Sequence, residues 1–380
     1  MDLPVVLVRF NEIALKSKRT RSALRGLLRH NILAALKMNV AVFNRIEDTW
    51  ERLIIHTNES EKAANASSRV FGVASASPAT ECVSEIDTIS RIVSDMAGET
   101  LENGNSFAIR VRRVGKHGFT TNEVAVRCGS SVIETLKRSG AKIKVNLDSP
   151  DHEFFVEIRE GRTFIYTTVI RGVGGLPLGS QGKVVSQLDD YESILAVWMM
   201  MKRGCMPILV QFDPESGELI STAKSSLRPY VGADLPVIEV PLGKAILEAN
   251  KNSPLQECLK YLIMIEIARL QSAHGIVSSR RLDPSDASQI ELIRKYVGIA
   301  DFPVFYPLVG FDSIYLRSLA ERIGGSALSS KIGDKCYSIQ ESKEDSDFNA
   351  TCEPDSIARH YQEKIRELVM TALARVEPDA

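Results

Sequence analysis

No apolar run in this 380-residue chain is long enough to cross a bilayer, and residues 1–20 lack the apolar stretch of a secretory signal. A membrane partner is therefore not expected. The six cysteines, at positions 82, 128, 205, 258, 336 and 352, are scattered and never form a CxxC pair. That spacing argues against a zinc ribbon and a disulfide framework, and it suits the reducing cytoplasm. No metal site is expected. Internal repeats and low-complexity tracts are missing too. From Ile13 to Ile46 there is no acidic residue. Nor is there a run of aromatics of the kind that stacks the bases of a single strand.

What is present is ordinary for a globular protein: 44% hydrophobic and 25% charged residues. The length allows two or three domains, each with its own core. The formal charge of −1 hides an uneven distribution. Lys16, Lys18, Arg19, Arg21, Arg25, Arg29, Lys37 and Arg45 fill the acid-free stretch, while the C-terminal third is richer in Asp and Glu. Such asymmetry suits a polyanion partner for the front half, and it equally suits a solvated helix face.

Hydrophobic periodicity organises the front half. Pro4–Phe10 reads as a strand, and Arg19–Leu36 as a helix with Leu24, Leu27, Leu28, Ile32 and Leu36 on one face. Strands at Asn39–Asn44, Arg52–His56 and Gly72–Ala76, with a helix at Ala63–Val70, complete a ferredoxin-like order. Next come helices at Ile86–Ala97 and Asn122–Ser139, the second with Val124, Val132, Ile133 and Leu136 inward. Strands are expected at Ser106–Val114, Lys142–Asn146, Glu153–Arg159 and Thr163–Ile170.

The chain changes character between Arg171 and Gly204. Its glycines and Pro177 exclude a regular interior. A strand at Val184–Leu188 and a helix at Ile194–Lys202, stopped by Gly204, make the first unit of a doubly wound sheet, whose turn is a place to hold phosphate. Downstream strands at Pro207–Phe212, Ile276–Ser278 and Val304–Tyr306 alternate with helices at Leu255–Ser272, Ala287–Val297, Ser313–Ile323 and Asp355–Arg375, which implies a parallel sheet. Gln340–Asn349 reads as an exposed acidic loop.

Several segments resemble the tRNA 4-thiouridine synthetases, or tRNA sulfurtransferases. RFNEIALKSKRTR, from Arg9, is similar to the family's RYGEIxLKGK; Gly174–Val184 and Met200–Gly204 (MMKRG) resemble its linker and first helix end. Phe107–Gly172 resembles a THUMP domain, an RNA-binding module. The resemblance implies an α/β protein of three parts: a ferredoxin-like domain (1–78), a THUMP domain (79–172) and a Rossmann-like, ATP-pyrophosphatase-like domain with a doubly wound parallel sheet (173–380). It implies tRNA as partner. Fixed positive charge grips structured RNA through its phosphates. The residues in position for this are Arg19, Arg21, Arg25, Arg110, Arg112, Arg113, Lys116, His117, Lys142 and Lys144.

The family's nucleotide loop, SGGxDS, would fall on Leu188–Ser193, where only Ser193 matches. Asp189 and Asp190 replace the glycines, and Glu192 replaces the family Asp. Two carboxylates oppose a triphosphate at short range. An acidic turn that took Mg²⁺ would readmit it. The family's CxxC positions read Glu257 and Lys260, with Cys258 alone between them. A GES segment is replaced by Arg280-Arg281-Leu282 ahead of Ala287–Gln289, and PLVGFD (Pro307–Asp312) is followed by Ser313 where a lysine is common. The reading is therefore a tRNA-binding relative whose nucleotide site, at Asp189, Asp190, Glu192 and Ser193, is degenerate, with no cofactor and no catalytic residue. The alternative is a working tRNA sulfurtransferase that uses ATP and Mg²⁺ through a diverged site or with a partner protein. A homodimer or another protein partner stays open.

Overall fold

The computed structural model of the chain describes residues 3–39, 43–49, 52–159, 161–212, 217–242, 254–281, 302–333 and 354–376. They form two compact units. The first takes the residues up to Arg21 together with Ile32–Gly174; the second takes Ser22–Asn31 together with Gly175 onward.

The first unit is one sheet with the two ends of helix α1 (Lys18–Asn39) and with α2 (Ser60–Ser68), α3 (Ile86–Thr100) and α4 (Thr121–Arg138). Its strands are β1 (Leu3–Arg9), β2 (Arg45–Asp48), β3 (Leu53–His56), β4 (Ser75–Val83), β5 (Ser106–Val114), β6 (Lys144–Val145), β7 (His152–Arg159), β8 (Arg162–Tyr166) and β9 (Ile170–Arg171). They lie in the order β2-β3-β1-β4-β8-β7-β5-β6, with β9 also against β4. β4 is the shared strand. It pairs with β1 from Ser75 to Glu81 and with β8 from Thr80 to Val83. The expected boundary at 78/79 thus falls inside a strand.

The sheet is strongly curled, and its ion pairs show it. Glu47 on β2 and Arg162 on β8 are four strand spacings apart, about 19 Å in a flat sheet. Yet Arg162 Nη1 donates to Glu47 Oε1 at 2.6 Å while its Nε donates to Glu81 Oε1 at 2.6 Å. Arg52, beside β3, reaches Glu157 on β7 at 3.3 Å, and Arg159 and Arg9 meet the same carboxylate at 2.6 and 3.5 Å. The face so enclosed carries Val5, Leu7, Ile54, Ala79, Phe164 and Tyr166. The opposite face puts Phe107, Phe154, Val156 and Ile165 in a core with residues of α3 and α4. Burial works against the charge of Glu157, but Arg52, Arg159 and Arg9 outweigh it and hold the carboxyl below its ordinary range. The hydrogen bond from Arg162 does the same for Glu47.

Four local expectations need correction. Good helix formers carry α1 through to Asn39, so the strand expected at Asn39–Asn44 is displaced; residues 40–42 lie outside the described set and β2 begins at Arg45. The strand expected at Gly72–Ala76 starts at Ser75 and runs to Val83, because Gly72 turns the chain with φ of 101°. Ile133 is 39% exposed; the buried stripe of α4 is Val124, Cys128, Val132 and Leu136, a strict four-residue spacing. Thr163–Ile170 is not continuous, since β8 ends at Tyr166 and β9 resumes at Ile170 against the other end of β4.

The second unit has a five-stranded, all-parallel sheet: β10 (Lys183–Gln187), β11 (Met206–Gln211), β12 (Val237–Glu239), β13 (Ile276–Val277) and β14 (Val304–Phe305), in the order β12-β11-β10-β13-β14. Helices α5 (Tyr191–Lys202), α6 (Gly217–Val231) and α8 (Ser313–Ser329) lie together; α7 (Pro254–Leu270) and α9 (Pro354–Ala374) pair with each other. This is the doubly wound Rossmann-like arrangement, with its order reversing between β10 and β13. The sequence reading has neither α6, which contains Pro229, nor the three-residue β12. The helix expected at Ala287–Val297 and the loop at Gln340–Asn349 lie outside the described residues.

Two glycines explain the distinctive junction. Gly204 ends α5 with φ of 91°, and a Cβ there would overlap the Ser180 hydroxyl. Gly175, with φ of 78°, lies so close to the carbonyl of Lys202 that a side chain could not fit. The linker is thereby folded under the C-terminus of α5, with Leu176 N–H donating to Lys202 O at 3.0 Å. Among the described residues no helix is long and apolar enough to cross a membrane.

Candidate functional site

The reversal point lies at the C-terminal ends of β10 and β13, where open α/β sheets hold their ligands. The residues expected at the nucleotide loop are all there. β10 ends at Gln187 and α5 starts at Tyr191, so Leu188, Asp189 and Asp190 are the whole connection. Asp190 is the N-cap of α5, its Oδ1 accepting from Ser193 N–H at 2.8 Å, with Ser193 Oγ in turn donating to the Asp190 carbonyl. A phosphate-cradling nest of backbone N–H groups needs a left-handed residue. Among the described non-glycine residues only Ser272 has positive φ, so this connection has none. Desolvation, together with the neighbouring Asp189 carboxylate, pushes the Asp190 carboxyl up to about 8.

Arg281 and Ser313, two of the other positions singled out in the sequence, meet at the same place. Arg281, just past β13, grips Glu192 with both arms of its guanidinium, Nε to Oε2 at 2.8 Å and Nη2 to Oε1. Its Nη1 donates to Ser313 Oγ at 3.0 Å and its Nη2 to the Gly333 carbonyl at 3.2 Å. Glu192 and Ser193 are buried. Ser279 Oγ donates to Asp189 Oδ1 at 3.3 Å. Gln187, Asp189, Tyr261, Ser278, Ser279 and Arg280 line a small pocket at this end of the sheet. Each of Glu192, Arg281 and Ser313 is legible in the sequence as a departure; their mutual contact is not. Cys258 is buried in the core of the second unit beside Leu259 and Met264. Among the described residues no group of three or more His, Cys, Asp or Glu side chains is placed to hold a metal ion.

The basic residues of the first unit divide into two kinds. Arg112, Lys116, Lys142, Lys144 and, on α1, Arg19 are exposed. Arg110 and Arg113 are committed within the fold. Arg110 pairs with Glu153 at 2.7 Å and donates to Leu147 O at 2.8 Å. Arg113 donates to the carbonyls of His117 and Phe119 and so shapes the turn after β5. His117 stacks on Phe119, centroids 5.8 Å apart, with its Nε2 3.0 Å from the carbonyl oxygen of Val114. Arg21 donates to Lys16 O at 3.1 Å, and Arg25 is half-buried. Lys144 pairs in register with Ser106, six residues and about 20 Å along β5 from Arg112. Lys142 and Lys144 thus mark one end of β5 and Lys116 the other.

Comparison with known proteins accounts for nearly the whole chain. Residues 5–77 match the ThiI ferredoxin-like domain, 83–168 the THUMP domain and 179–354 the family described as thiamine biosynthesis protein (ThiI). A probable tRNA sulfurtransferase from Methanosarcina mazei is 32% identical over 354 residues, covering 90% of this chain and 87% of that protein. One from Methanothermobacter thermautotrophicus is 32% identical over 344 residues, covering 85% of each. The crystal structure of PH1313 from Pyrococcus horikoshii superposes with a TM-score of 0.69 at 29% identity, over 85% of this chain and all of that one. A 4-thiouridine synthetase–RNA complex with bound ATP superposes with a TM-score of 0.80 over 97% of this chain and 98% of that one; at 22% identity this likeness speaks for the fold alone.

Proposed function

Because the chain belongs to the tRNA sulfurtransferase family, we propose that it binds tRNA through its first unit and keeps the family's nucleotide position in a closed, self-paired form without thiolation chemistry. The observation that carries this reading is the bond set of Arg281. Its guanidinium ties Glu192, Ser313 and the Gly333 carbonyl together at the point where a nucleotide would have to enter. The capped β10–α5 connection adds to it. The N–H of Ser193 is spent on Asp190, and no left-handed residue turns further N–H groups toward a phosphate.

The relatives favour a second reading, a working tRNA sulfurtransferase that draws on ATP and Mg²⁺. They are named for that activity, and a solved chain of the same fold carries both RNA and ATP. In that case Arg281 releases Glu192 when nucleotide arrives, and the acids of the turn take the metal.

Calorimetry with Mg²⁺-ATP separates the two. The first reading expects no binding heat at millimolar nucleotide. It expects Asp189→Gly with Asp190→Gly to improve nucleotide binding without restoring thiolation, because Lys260 and Ser313 remain. Tight ATP binding by the unmodified protein, lost in Asp189→Ala or Asp190→Ala, establishes the second reading instead. Loss of 4-thiouridine from the tRNA of cells lacking the gene would do so independently.

A further inference from the structure

Among the described residues, the Phe, Trp and Tyr residues at least 36% exposed are Phe305, Phe311 and Tyr315, at 36%, 37% and 41%. All three fall within eleven residues, at the end of β14 and the entry to α8. None belongs to the first unit, where the basic residues are. Phe311 stands at the variable position of the PLVGFD segment, and Ser313, the hydroxyl held by Arg281, lies between it and Tyr315.

The pair is built rather than incidental. Gly310, with φ of 88°, closes a turn in which Phe311 N–H donates to Leu308 O at 3.2 Å. Asp312 then caps α8, its Oδ1 accepting from Tyr315 N–H at 2.7 Å. The two rings, four residues apart, stack at 4.6 Å between centroids with 17° between planes. Ile314, 78% exposed, flanks them. One turn on, Arg317 is exposed, with its Nε donating to Ile332 O at 3.2 Å. A flat, pre-stacked aromatic surface is what an unpaired base needs, a π face to lie on. Its place continues the reversal-point edge, one residue from the Arg281 cluster.

We infer that Phe311 and Tyr315 form a stacking platform that takes one unpaired nucleobase of a bound RNA strand and holds it at the C-terminal edge of the second unit's sheet. This rests on the proposal that the chain binds tRNA. Charge on the first unit supplies affinity and salt dependence, and the platform supplies the contact that singles out one nucleotide.

The test uses the full chain and a tRNA transcript carrying 4-thiouridine in place of uridine as a photocrosslinking probe. The expected result is a crosslink within residues 308–317. Phe311→Ala with Tyr315→Ala should abolish that crosslink and weaken transcript binding about tenfold, within the range measured for one base–aromatic stack. The salt slope should not change, because the phosphates stay neutralised by the same cations. Phe311→Trp and Tyr315→Phe should keep both crosslink and affinity, which separates stacking from folding. Crosslinks that map elsewhere, or an Ala pair that binds like the parent, overturn the platform while leaving salt-dependent tRNA binding in place. A parent protein that self-associates through this patch, and turns monomeric in the Ala pair with RNA binding intact, overturns it too. No transcript binding by the parent removes the tRNA reading and the platform together.

Discussion

Replacing Arg281 by Ala tests how firmly the proposed closure is held. The substitution removes two charge-assisted bonds to Glu192, one bond to Ser313 and one to the Gly333 carbonyl. The Glu192 side chain is 8% exposed and that of Arg281 19%, so the carboxylate is stranded with little water to replace its partner. Breaking one side of a buried pair costs about 3–5 kcal/mol. The residual exposure of Arg281 argues for the lower end, about 3 kcal/mol. With a urea slope near ~2 kcal/mol/M, the midpoint should fall by about 1.5 M. Trp198, buried in α5 next to this cluster in sequence, reports the transition once Trp50 is changed to Phe. The double change Arg281→Met with Glu192→Met should recover all but about 1 kcal/mol, since an apolar pair of similar volume replaces an ion pair at little cost. A midpoint moved by less than about 0.3 M, or a double variant no better than the single one, would refute the reasoning that the Arg281–Glu192 pair holds this part of the fold together.

Charge reversal at Arg112 and Lys116 should weaken tRNA binding and flatten its log–log salt slope by about 0.7–0.9 for each phosphate no longer neutralised, measured by filter binding across salt concentrations; an unchanged slope would remove these residues from the interface. Arg113→Ala should instead lower the stability of the first unit, read by thermal melting, because Arg113 holds the carbonyls of the turn after β5. The two units should respond oppositely to pH. Glu157 and Glu47 have depressed carboxyls, so their stabilisation is full above about 4.5 and is lost as pH falls through their folded values. Asp190 is raised from 3.8 to about 8, so the second unit should lose stability as pH climbs between those values, and Asp190→Asn, an equally good N-cap, should flatten that decline in urea titrations at pH 5 and 8. Gly204→Ala should cost about 1–2 kcal/mol by chemical denaturation, from the left-handed backbone, with more from the overlap with Ser180.

Much of this fold is legible in the chain because its signals are local. The stripe Leu24, Leu28, Ile32 and Leu36 is buried as its spacing requires, and Ser106–Val114 is a strand over the expected residues. Gly204 marks the end of α5 because a helix of L-residues has few other ways to stop. The failures are tertiary. β12 is three residues long and exists because β11 offers it an edge, and α6 survives Pro229 near its last turn. At the site, the resemblance marks Glu192, Arg281 and Ser313 as unlike the family motifs, but it does not show that they bond one another, since 89 and 32 residues of chain separate the partners. Nor does charge alone tell the exposed Arg112 from Arg113, which is spent on carbonyls one strand end away.

The sharing of β4 bears on how such a protein can be taken apart. A chain begun at Ser84 would keep α3, α4 and β5 to β8 but leave β8 with a bare edge where Thr80 to Val83 had been. It would also lose the Arg9 and Arg52 partners of Glu157 and the Glu47 and Glu81 partners of Arg162. A chain stopped at Ser77 would strand β1 in the same way. Unpaired strand edges seek other copies. The two front modules therefore act as one heritable piece: recombination that exchanges either for a relative's must carry β4 and its ion-pair partners along, or deliver a fragment that aggregates.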